Sequence, residues 1–413
     1  MSAVLWDPFD PAFRADPYPY YDRLRTEAPA YVAPSGQTVL TRYPDVFATL
    51  RSNEVSRDVE ANAIIDPNDE AAVRRRDRRR GGAKSILNLD PPDHTRLRRL
   101  VSKAFTPRQI ELLRPGIEQM VDAALDTAAE RGSIELIDGL AFPVPFQVIS
   151  ELLDMPTDRA DELRDWSQAL TAGLEPAATV ADLDAAERAV LELVPYLIQV
   201  IEARRSTPGD DLLSALLAVE DGGDTLSPAE LISFVVLLYV AGHETTVNLI
   251  GNGTLALLGH RDQLDRWRRD PTLDATAVDE LLRFDGPVQH TVRVAMQPMS
   301  FADAAGGTVV VEPGHTILTV LGAANRDPAM FDDPHTLRLD RPNAGRHMAF
   351  AAGIHYCLGA SLAKLEATVA ITRLIRRFDE IELADEPHWR DRITIRGVDR
   401  MPLVVGREIT RPA

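Results

Sequence analysis

The sequence is almost without cysteine, since Cys357 is the only one among 413 residues. A single thiol cannot form an intramolecular disulfide, which excludes the class of small disulfide-stabilised secreted domains and fits a reducing cytoplasm. Positive charge is also scarce, because 45 Lys and Arg stand against 63 Asp and Glu, for a formal net charge of -18. Such an acidic chain is unsuited to non-specific binding of nucleic acid.

Signals for export and membrane insertion are missing as well. The first residues, MSAVLWDPFDPAF, have neither the basic start nor the apolar core of a signal peptide. The longest apolar run, Leu231 to Gly242, includes a serine and a tyrosine and is shorter than the roughly 20 residues that span a bilayer. With no internal repeat and no Gly/Ser-rich linker, we expect one monomeric domain over residues 1–413, without membrane or nucleic-acid partners.

Helical periodicity is what the sequence has in abundance. Apolar residues recur three and four positions apart in Thr106 to Arg131, Ala181 to Arg205, Asp210 to Val219, Ser227 to Leu258, Asp274 to Phe284 and Leu358 to Phe378. Capping signals open two of these helices, at Ser227 and at Thr106. Short strand-like pieces occur at Ala30 to Val32, Thr38 to Leu40, Thr291 to Ala295, Thr308 to Val311 and Thr316 to Leu318. The fold class predicted is mainly α with a small β portion.

The lone cysteine lies in the segment FAAGIHYCLG, Phe350 to Gly359. Its glycines allow backbone to approach a bulky flat group, and N–H groups aimed at sulfur stabilise a thiolate as metal ligand. Taken alone, Cys357 would be interpreted as a small buried hydrophobe. The whole segment, however, resembles the haem-binding loop of the cytochrome P450 family, F-x-x-G-x-[HR]-x-C-x-G, although Ala351 replaces the usual glycine or serine. The resemblance implies that Cys357 ligates the iron of haem b and that the same loop contacts the haem through Phe350, Gly353, His355 and Gly359.

A second motif, AGHETT from Ala241 to Thr246, lies inside the long predicted helix. A carboxylate beside a hydroxyl in an apolar helix is costly unless it has a function, the alternative being a polar stripe on the surface. The motif resembles the oxygen-binding groove of the same family. That resemblance implies that Glu244 and Thr245 deliver protons to the oxygen being activated, that Gly242 leaves room for it, and that Ala241 borders the haem.

A third motif, E-x-x-R, consists of Glu280 and Arg283, which share one helix face and can form an ion pair. By itself this spacing is typical of an ordinary surface salt bridge. Its position between the long helix and the cysteine loop resembles the structural ion pair of the family. Arg341 is the candidate third member, with Arg338 as its competitor.

Cationic side chains stand where the family has partners for the haem propionates. His94 and Arg98 are four residues apart on one helix face, Arg293 follows the E-x-x-R helix, and His347 precedes the cysteine by ten residues. The resemblance implies that all four contact the propionates, and that His355 is a further candidate. Each residue taken singly would be interpreted as a solvated charge.

Two patterns in the chain resemble other sites but lack their context. Gly251, Gly253 and Ala256 spell a nucleotide-binding fingerprint, yet they follow a helix and not a strand, so we expect no NAD or flavin site. His243 and Glu244 begin a zinc-protease motif whose second histidine is replaced by Val247. The run Arg74 to Arg80, RRRDRRR, is predicted to be a solvated basic loop or, alternatively, to attract an anionic group at a substrate entrance.

The family resemblance, which extends over residues 7 to 405, implies a triangular helical prism and a monooxygenase that places one atom of O2 in an organic substrate. A peroxide-driven haem-thiolate enzyme and a non-catalytic haem sensor are the alternatives. Because the chain has no flavin or iron-sulfur motif, we expect a ferredoxin or flavodoxin to supply electrons. We expect this partner to dock on a basic face that includes Arg346, Lys364, Arg373, Arg376 and Arg377.

The substrate pocket is predicted by analogy from the segments Asn62 to Leu87, Leu163 to Val190 and Val288 to Val292, together with the helix around Ala241. Small and aliphatic residues dominate these segments, which indicates a medium to large, largely apolar substrate with a polar handle. The residues predicted to line the pocket are Leu87, Ala241, Val288, Gln289 and Thr291, with His290 as a further polar candidate.

Overall fold

The computed structural model describes residues 5–64, 73, 84–175 and 178–409. The basic run 74–80 lies outside the described residues, so its nature stays a prediction. The chain is 55% helical. In order, the helices are α1 (Pro11–Ala15), α2 (Tyr18–Glu27), α3 (Tyr43–Arg51), α4 (Val59–Asn62), α5 (Asp93–Ala104), α6 (Pro107–Glu111), α7 (Arg114–Arg131), α8 (Pro143–Leu152), α9 (Ala160–Ala172), α10 (Val180–Ser206), α11 (Leu212–Ala218), α12 (Pro228–Gly242), α13 (Glu244–Gly259), α14 (Arg261–Arg269), α15 (Ala277–Asp285), α16 (Leu321–Ala324) and α17 (Ala360–Arg377).

The strands form one five-stranded sheet and smaller sheets, in agreement with the predicted fold class. They are β1 (Ala30–Val32), β2 (Thr38–Leu40), β3 (Val55–Ser56), β4 (Ser133–Glu135), β5 (Glu220–Asp221), β6 (Asp224–Thr225), β7 (His290–Ala295), β8 (Met299–Ala302), β9 (Thr308–Val311), β10 (Thr316–Val320), β11 (Ile381–Leu383), β12 (His388–Trp389), β13 (Val398–Arg400) and β14 (Pro402–Val405). The main sheet has the order β1-β2-β10-β7-β3. Within it β10 runs parallel to β2 and antiparallel to β7, so β7, which carries Arg293, lies between β10 and β3.

The predicted caps are present, but one predicted helix is divided in two. Ser227 and Thr106 each accept a hydrogen bond from the N3 amide of their helix, in complete capping boxes. The segment predicted as a single helix from Thr106 to Arg131 ends at Glu111 and begins again at Arg114. Pro115, in the first turn of α7, has no N–H to continue the hydrogen-bond ladder, which explains the interruption.

The long helix predicted from Ser227 to Leu258 is also interrupted, at His243 between α12 and α13. Side chains at this point bond to carbonyls one turn earlier: His243 Nδ1 lies 2.5 Å from the oxygen of Tyr239, and the Thr245 hydroxyl donates to the Ala241 oxygen at 2.9 Å. Such side-chain bonds compete with the backbone ladder and loosen it locally. The interruption therefore falls inside the AGHETT motif.

The main apolar core packs around α13. A Cβ on Gly253 would lie 3.0 Å from the Leu281 side chain of α15 and 3.2 Å from Ile371 of α17, and one on Gly251 would lie 3.1 Å from Ile137. Gly251 and Gly253, which belong to the pattern that resembles a nucleotide-binding fingerprint, therefore allow close packing of the helices. By length and composition Pro228–Gly259 could cross a membrane, but 67% of its apolar window is buried within the structure, as in a core helix.

Candidate active site

The cysteine loop contains a 3-10 turn at Gly353–His355 and leads into α17, and its backbone conformation explains its glycines. Gly353 has φ +74°, and a Cβ there would lie 2.5 Å from the carbonyl oxygen of Leu50. Ala351 has φ +57°, a left-handed conformation that favours glycine, so the alanine at this position is strained. The amide of Cys357 donates to the Phe350 oxygen at 3.1 Å, which closes the loop.

The thiol of Cys357 is accessible, which is unusual for a cysteine next to the core. Burial by the protein on its other sides raises the pKa of the thiol, while the Gly359 amide and the positive charge of Arg98 act in the opposite direction. The sulfur therefore faces open space with one hydrogen-bond donor and one nearby cation. The raised pKa favours the neutral thiol, and a metal ion bound on the open side would stabilise the thiolate.

One face of the interrupted helix also borders open space. Ala241 is exposed although it lies at the end of an otherwise apolar core helix, and Leu238, Gly242 and Thr245 around it are partly exposed. Their spacing of three and four residues places them on one side of the helix. The predicted role of Gly242 is not supported, because a Cβ there would point to the Ile149 side chain at 2.9 Å. Its small size serves the packing of α12 against α8.

The two polar residues of AGHETT face different surroundings. Glu244 is only 1% exposed, and its Oε1 accepts hydrogen bonds from Arg390 and, at 3.0 Å, from Arg392. Thr245 donates its hydroxyl proton to the Ala241 oxygen, which leaves the lone pairs of Oγ1 available on the partly exposed side. Sequence reasoning missed both arginines, because no motif marks them.

Buried cationic and imidazole groups gather close to the cysteine. The rings of His94 and His355 are 4.2 Å apart between centroids, and His94 Nδ1 and His355 Nε2 are buried without a hydrogen-bond partner among the described residues. Arg293 is 2% exposed, and burial, together with the nearby Arg57, lowers its pKa to about 9. No salt bridge among the described residues involves Arg98 or Arg293.

These groups have room for a ligand beside them. Arg293, His347, His355 and Arg57 line a cleft of about 1120 Å³, in which Asp90 is the one carboxylate among the described lining residues; Cys357, His94 and Arg98 are not part of that lining. Arg57 is a cation that sequence reasoning did not identify, since it follows an unremarkable strand. Buried positive charge and unsatisfied imidazole nitrogens are costly without an anion. The excess of cationic over anionic side chains in this lining favours an anionic ligand.

His347 differs from the other predicted propionate contacts. Its Nε2 lies 3.3 Å from Oδ1 of Asp279, and its Nδ1 accepts a hydrogen bond from the Ala349 amide at 3.1 Å. Both ring nitrogens are thus already used by the protein, which leaves His347 no free donor for a propionate. The structure supports a bracing contact between α15 and the cysteine loop instead.

Two residues predicted for the substrate pocket point elsewhere. The Oε1 of Gln289 accepts from the Tyr21 hydroxyl at 2.9 Å and its Nε2 donates to Gly286 at 2.8 Å, so this buried side chain joins the N-terminal aromatic cluster. His290 packs against Trp6 and is 3% exposed. Leu87 is 40% exposed on a short 3-10 helix, and Val288 and Thr291 are half-buried. For these three the pocket assignment stays a prediction.

The E-x-x-R pair forms a buried network. Arg283 donates to Oε2 and Oε1 of Glu280 at 2.7 and 2.8 Å, and both side chains are completely buried. Arg341 approaches both oxygens of Glu280 at 3.1 and 3.0 Å, whereas Arg338 contributes only its backbone amide at 2.9 Å. Arg341 is therefore the third member. Arg283 also donates to the carbonyls of Asn325 and Pro334, which ties α15 to the chain preceding the cysteine loop.

Comparison with known proteins identifies the architecture. The family model described as cytochrome P450 matches residues 176–392, and cytochrome P450 107B1 of Saccharopolyspora erythraea is 42% identical over 96% of this chain and 97% of its own length. The chain belongs to the cytochrome P450 family. The 6-deoxyerythronolide B hydroxylase of the same organism is 38% identical, covering 95% of this chain and 96% of its own. The solved structure of the Bacillus subtilis polyketide synthase cytochrome P450 PksS superposes with a TM-score of 0.86 and 35% identity, covering 97% of this chain and all of that one.

Membership in the cytochrome P450 family implies haem iron and establishes the enzyme class as a cytochrome P450 monooxygenase. The residue roles predicted from the motifs can now be placed on this scaffold. The haem contacts predicted for Cys357, His94, His355, Arg98 and Arg293 stay predictions, whereas His347, Gln289 and Gly242 have other contacts.

Proposed function

We propose that this P450 binds haem b through Cys357 and inserts one atom of O2 into a medium to large, largely apolar substrate. The observation that carries the proposal is the cation and imidazole cluster beside the accessible thiol. Arg98 and Arg293 are buried or half-buried without a salt bridge among the described residues, and His94 and His355 keep unsatisfied nitrogens. Two propionates would supply the missing acceptors and negative charge.

In this proposal Cys357 Sγ would ligate the haem iron, and the hydrogen bond from the Gly359 amide would help to stabilise the thiolate. The haem, when bound, supplies the binding and reductive activation of O2. Phe350 and Gly353 shape the loop around the sulfur, and the exposed Ala241 would border the haem from the interrupted helix. The nearby Arg57 is added as a further cation on the propionate side.

Protons are handled by Glu244 and Thr245 in this mechanism. The Thr245 hydroxyl is oriented by its hydrogen bond to the Ala241 oxygen. In the proposed step, a lone pair of Thr245 Oγ1 receives a proton that comes from Glu244, and the original hydroxyl proton passes into the cavity. Glu244 is buried and joined to solvent through Arg390 and Arg392, whose side chains are 12% and 19% exposed. We propose that the Glu244 carboxylate exchanges protons with solvent on this side and passes them toward the Thr245 hydroxyl.

The proposed substrate class rests on two kinds of support. The exposed helix face around Ala241 is apolar, and relatives with 35 to 38% identity are named for 6-deoxyerythronolide B and for a polyketide synthase. We therefore propose macrolactone-like or other polyketide substrates. The test is to titrate the enzyme with a panel of macrolactones that begins with 6-deoxyerythronolide B. Binding is monitored through the shift in the spin state of the iron. No shift with any macrolactone would contradict it.

Electrons are proposed to come from a ferredoxin or flavodoxin, but the docking face needs revision. Four of the five predicted cations are already paired: Lys364 with Asp279, Arg373 with Glu118 and Asp122, Arg376 with Asp274, and Arg377 with Asp126 and Glu408. Their net field is therefore small. Arg346 is exposed, lines the cleft next to Tyr356, and has no salt bridge among the described residues. It is the proposed contact of an acidic donor.

The experiment that tests the whole proposal is the reduced, CO-bound absorption spectrum of the purified enzyme. Thiolate ligation gives the displaced Soret band of the family, and Cys357→Ser should lose it while the protein still folds. An unchanged spectrum in that variant would overturn the ligand assignment. Turnover with O2 and a reductant, compared with peroxide alone, separates the monooxygenase from a peroxide-driven enzyme. Absence of turnover in both would favour a haem sensor. A monomeric, cytoplasmic enzyme remains part of the proposal.

A further inference from the structure

A loop near the C-terminus holds two arginines against the acid of the AGHETT motif. This 390–397 loop connects β12 and β13, and Arg390 and Arg392 both hydrogen-bond Oε1 of Glu244. The remaining Oε2 lies 4.0 Å from His243 Nε2. Because all three charged groups are largely buried, the carboxylate is fixed in charge and direction by charge-assisted hydrogen bonds.

The 390–397 loop is itself held firmly. Glu175, which follows α9, accepts the amides of Ile393, Thr394 and Ile395 at 3.0, 2.9 and 3.2 Å. At the other end Arg396 donates to Asp285 at 3.0 Å, and Asn252 of α13 donates to the Arg396 carbonyl at 3.2 Å. The loop is therefore attached on one side to the end of α9 and on the other to the helix that carries Glu244.

We propose that Arg390 and Arg392 are positioning residues for Glu244, and that Glu175 fixes the loop that carries them. The inference rests on the proposed role of Glu244 in proton delivery. With both arginines present, the carboxylate keeps one orientation, so each turnover finds it in the same place. Without them a buried carboxylate is unpaired, and it becomes protonated or turns to other partners.

The expected consequence is a loss of proton delivery without a loss of substrate binding. When protons are delivered too slowly, the reduced oxygen is released as hydrogen peroxide before it is used on the substrate. The ratio of peroxide formed to NADPH consumed by the electron-donor system therefore measures the defect. Arg390→Gln and Arg392→Gln should raise this ratio severalfold, toward that of Glu244→Gln. The dissociation constant for 6-deoxyerythronolide B, or for the panel compound that binds most tightly, should stay unchanged. Lysine at either position should restore most of the coupling, because it keeps the charge.

The decisive measurement repeats both arginine substitutions in a Glu244→Gln background. Residues that act through Glu244 should cause no further rise in peroxide there. For each arginine, the thermal midpoints of the native enzyme, the two single variants and the double variant should be non-additive as well, which reports the ion pair independently of activity. Arg204→Gln is the matched control, since Arg204 pairs with Asp154 and Asp211 and is 18% exposed, similar to Arg392. It should leave the peroxide ratio unchanged.

The outcomes separate this inference from the proposed function. If Glu244→Gln has the same peroxide ratio as the native enzyme, the proposal that Glu244 delivers protons is wrong. If Glu244→Gln is uncoupled but both arginine variants are not, the positioning role is wrong and the proposed function stands. An equal rise in peroxide in both backgrounds would also overturn the inference, because the arginines would then act on the fold and not through Glu244.

Discussion

The buried network around Glu280 gives the sharpest prediction about stability. Arg341 is 3% exposed, touches both oxygens of Glu280, and donates to the carbonyls of Thr336 and Asp333 at 2.9 and 3.2 Å. In Arg341→Gln one carboxylate loses a charged partner and these carbonyls lose their donor. Removal of one member of a buried ion pair costs about 3–5 kcal/mol. Since Arg283 still neutralises Glu280, we expect the lower end, about 3 kcal/mol.

The measurement is the free energy of unfolding of the haem-loaded enzyme from urea titration, with the slope checked for constancy. Arg338→Gln is the matched control, because only the backbone amide of Arg338 binds Glu280. We expect that control to stay within about 0.5 kcal/mol of the native enzyme. A loss of less than about 1 kcal/mol for Arg341→Gln, the range of exposed pairs, would refute the assignment of a buried network. So would equal losses in the two variants.

Three further predictions concern the loop, the partner and pH. Ala351→Gly should raise the free energy of unfolding by up to about 1 kcal/mol in urea titration, because φ +57° strains alanine; a decrease would contradict this. Arg346→Gln should slow reduction by an acidic ferredoxin in stopped-flow measurements at low salt, whereas Arg373→Gln should not, because Arg373 is already paired. Equal effects of the two substitutions would support the docking face that was predicted from the sequence. Burial raises the pKa of Glu366 from 4.5 to about 8, so the folded state holds more protons and stability should fall as pH rises from 4.5 to 8. The thermal midpoint of Glu366→Gln should not show that fall between pH 4.5 and 8. If the variant had the same pH profile as the native enzyme, Glu366 would not be its cause.

Local chemistry was readable from the sequence where a motif is contiguous. The Ser227 cap, the Glu280–Arg283 pair and the strands around Arg293 depend on spacing within a few residues, and the structure has them. Breaks in helices were missed because periodicity reports an apolar face and not the continuity of the backbone ladder. His243 shows this, since the periodicity of the helix continues across the interruption.

Contacts between distant segments could not be predicted in the same way. Glu244 and Arg390 are 146 residues apart, and Tyr21 and Gln289 are 268 apart. Spacing places a residue on a face of its own helix or strand, but the neighbour packed on that face depends on the whole fold. Gln289 therefore looked like a polar handle for substrate, although its amide is used by Tyr21 and Gly286.

The buried charges of this chain fall into two groups that differ in their partners. Glu280 is surrounded by Arg283 and Arg341, so its charge is balanced by the protein itself. Arg293 is equally buried, yet no salt bridge among the described residues balances it, and burial depresses its pKa to about 9. Folding alone gives no reason to retain such an arginine, because an unpaired buried charge opposes stability. If Arg293 holds a haem propionate as proposed, binding of that anion would remove the cost, and we therefore expect haem affinity and the stability of the surrounding fold to be linked through Arg293.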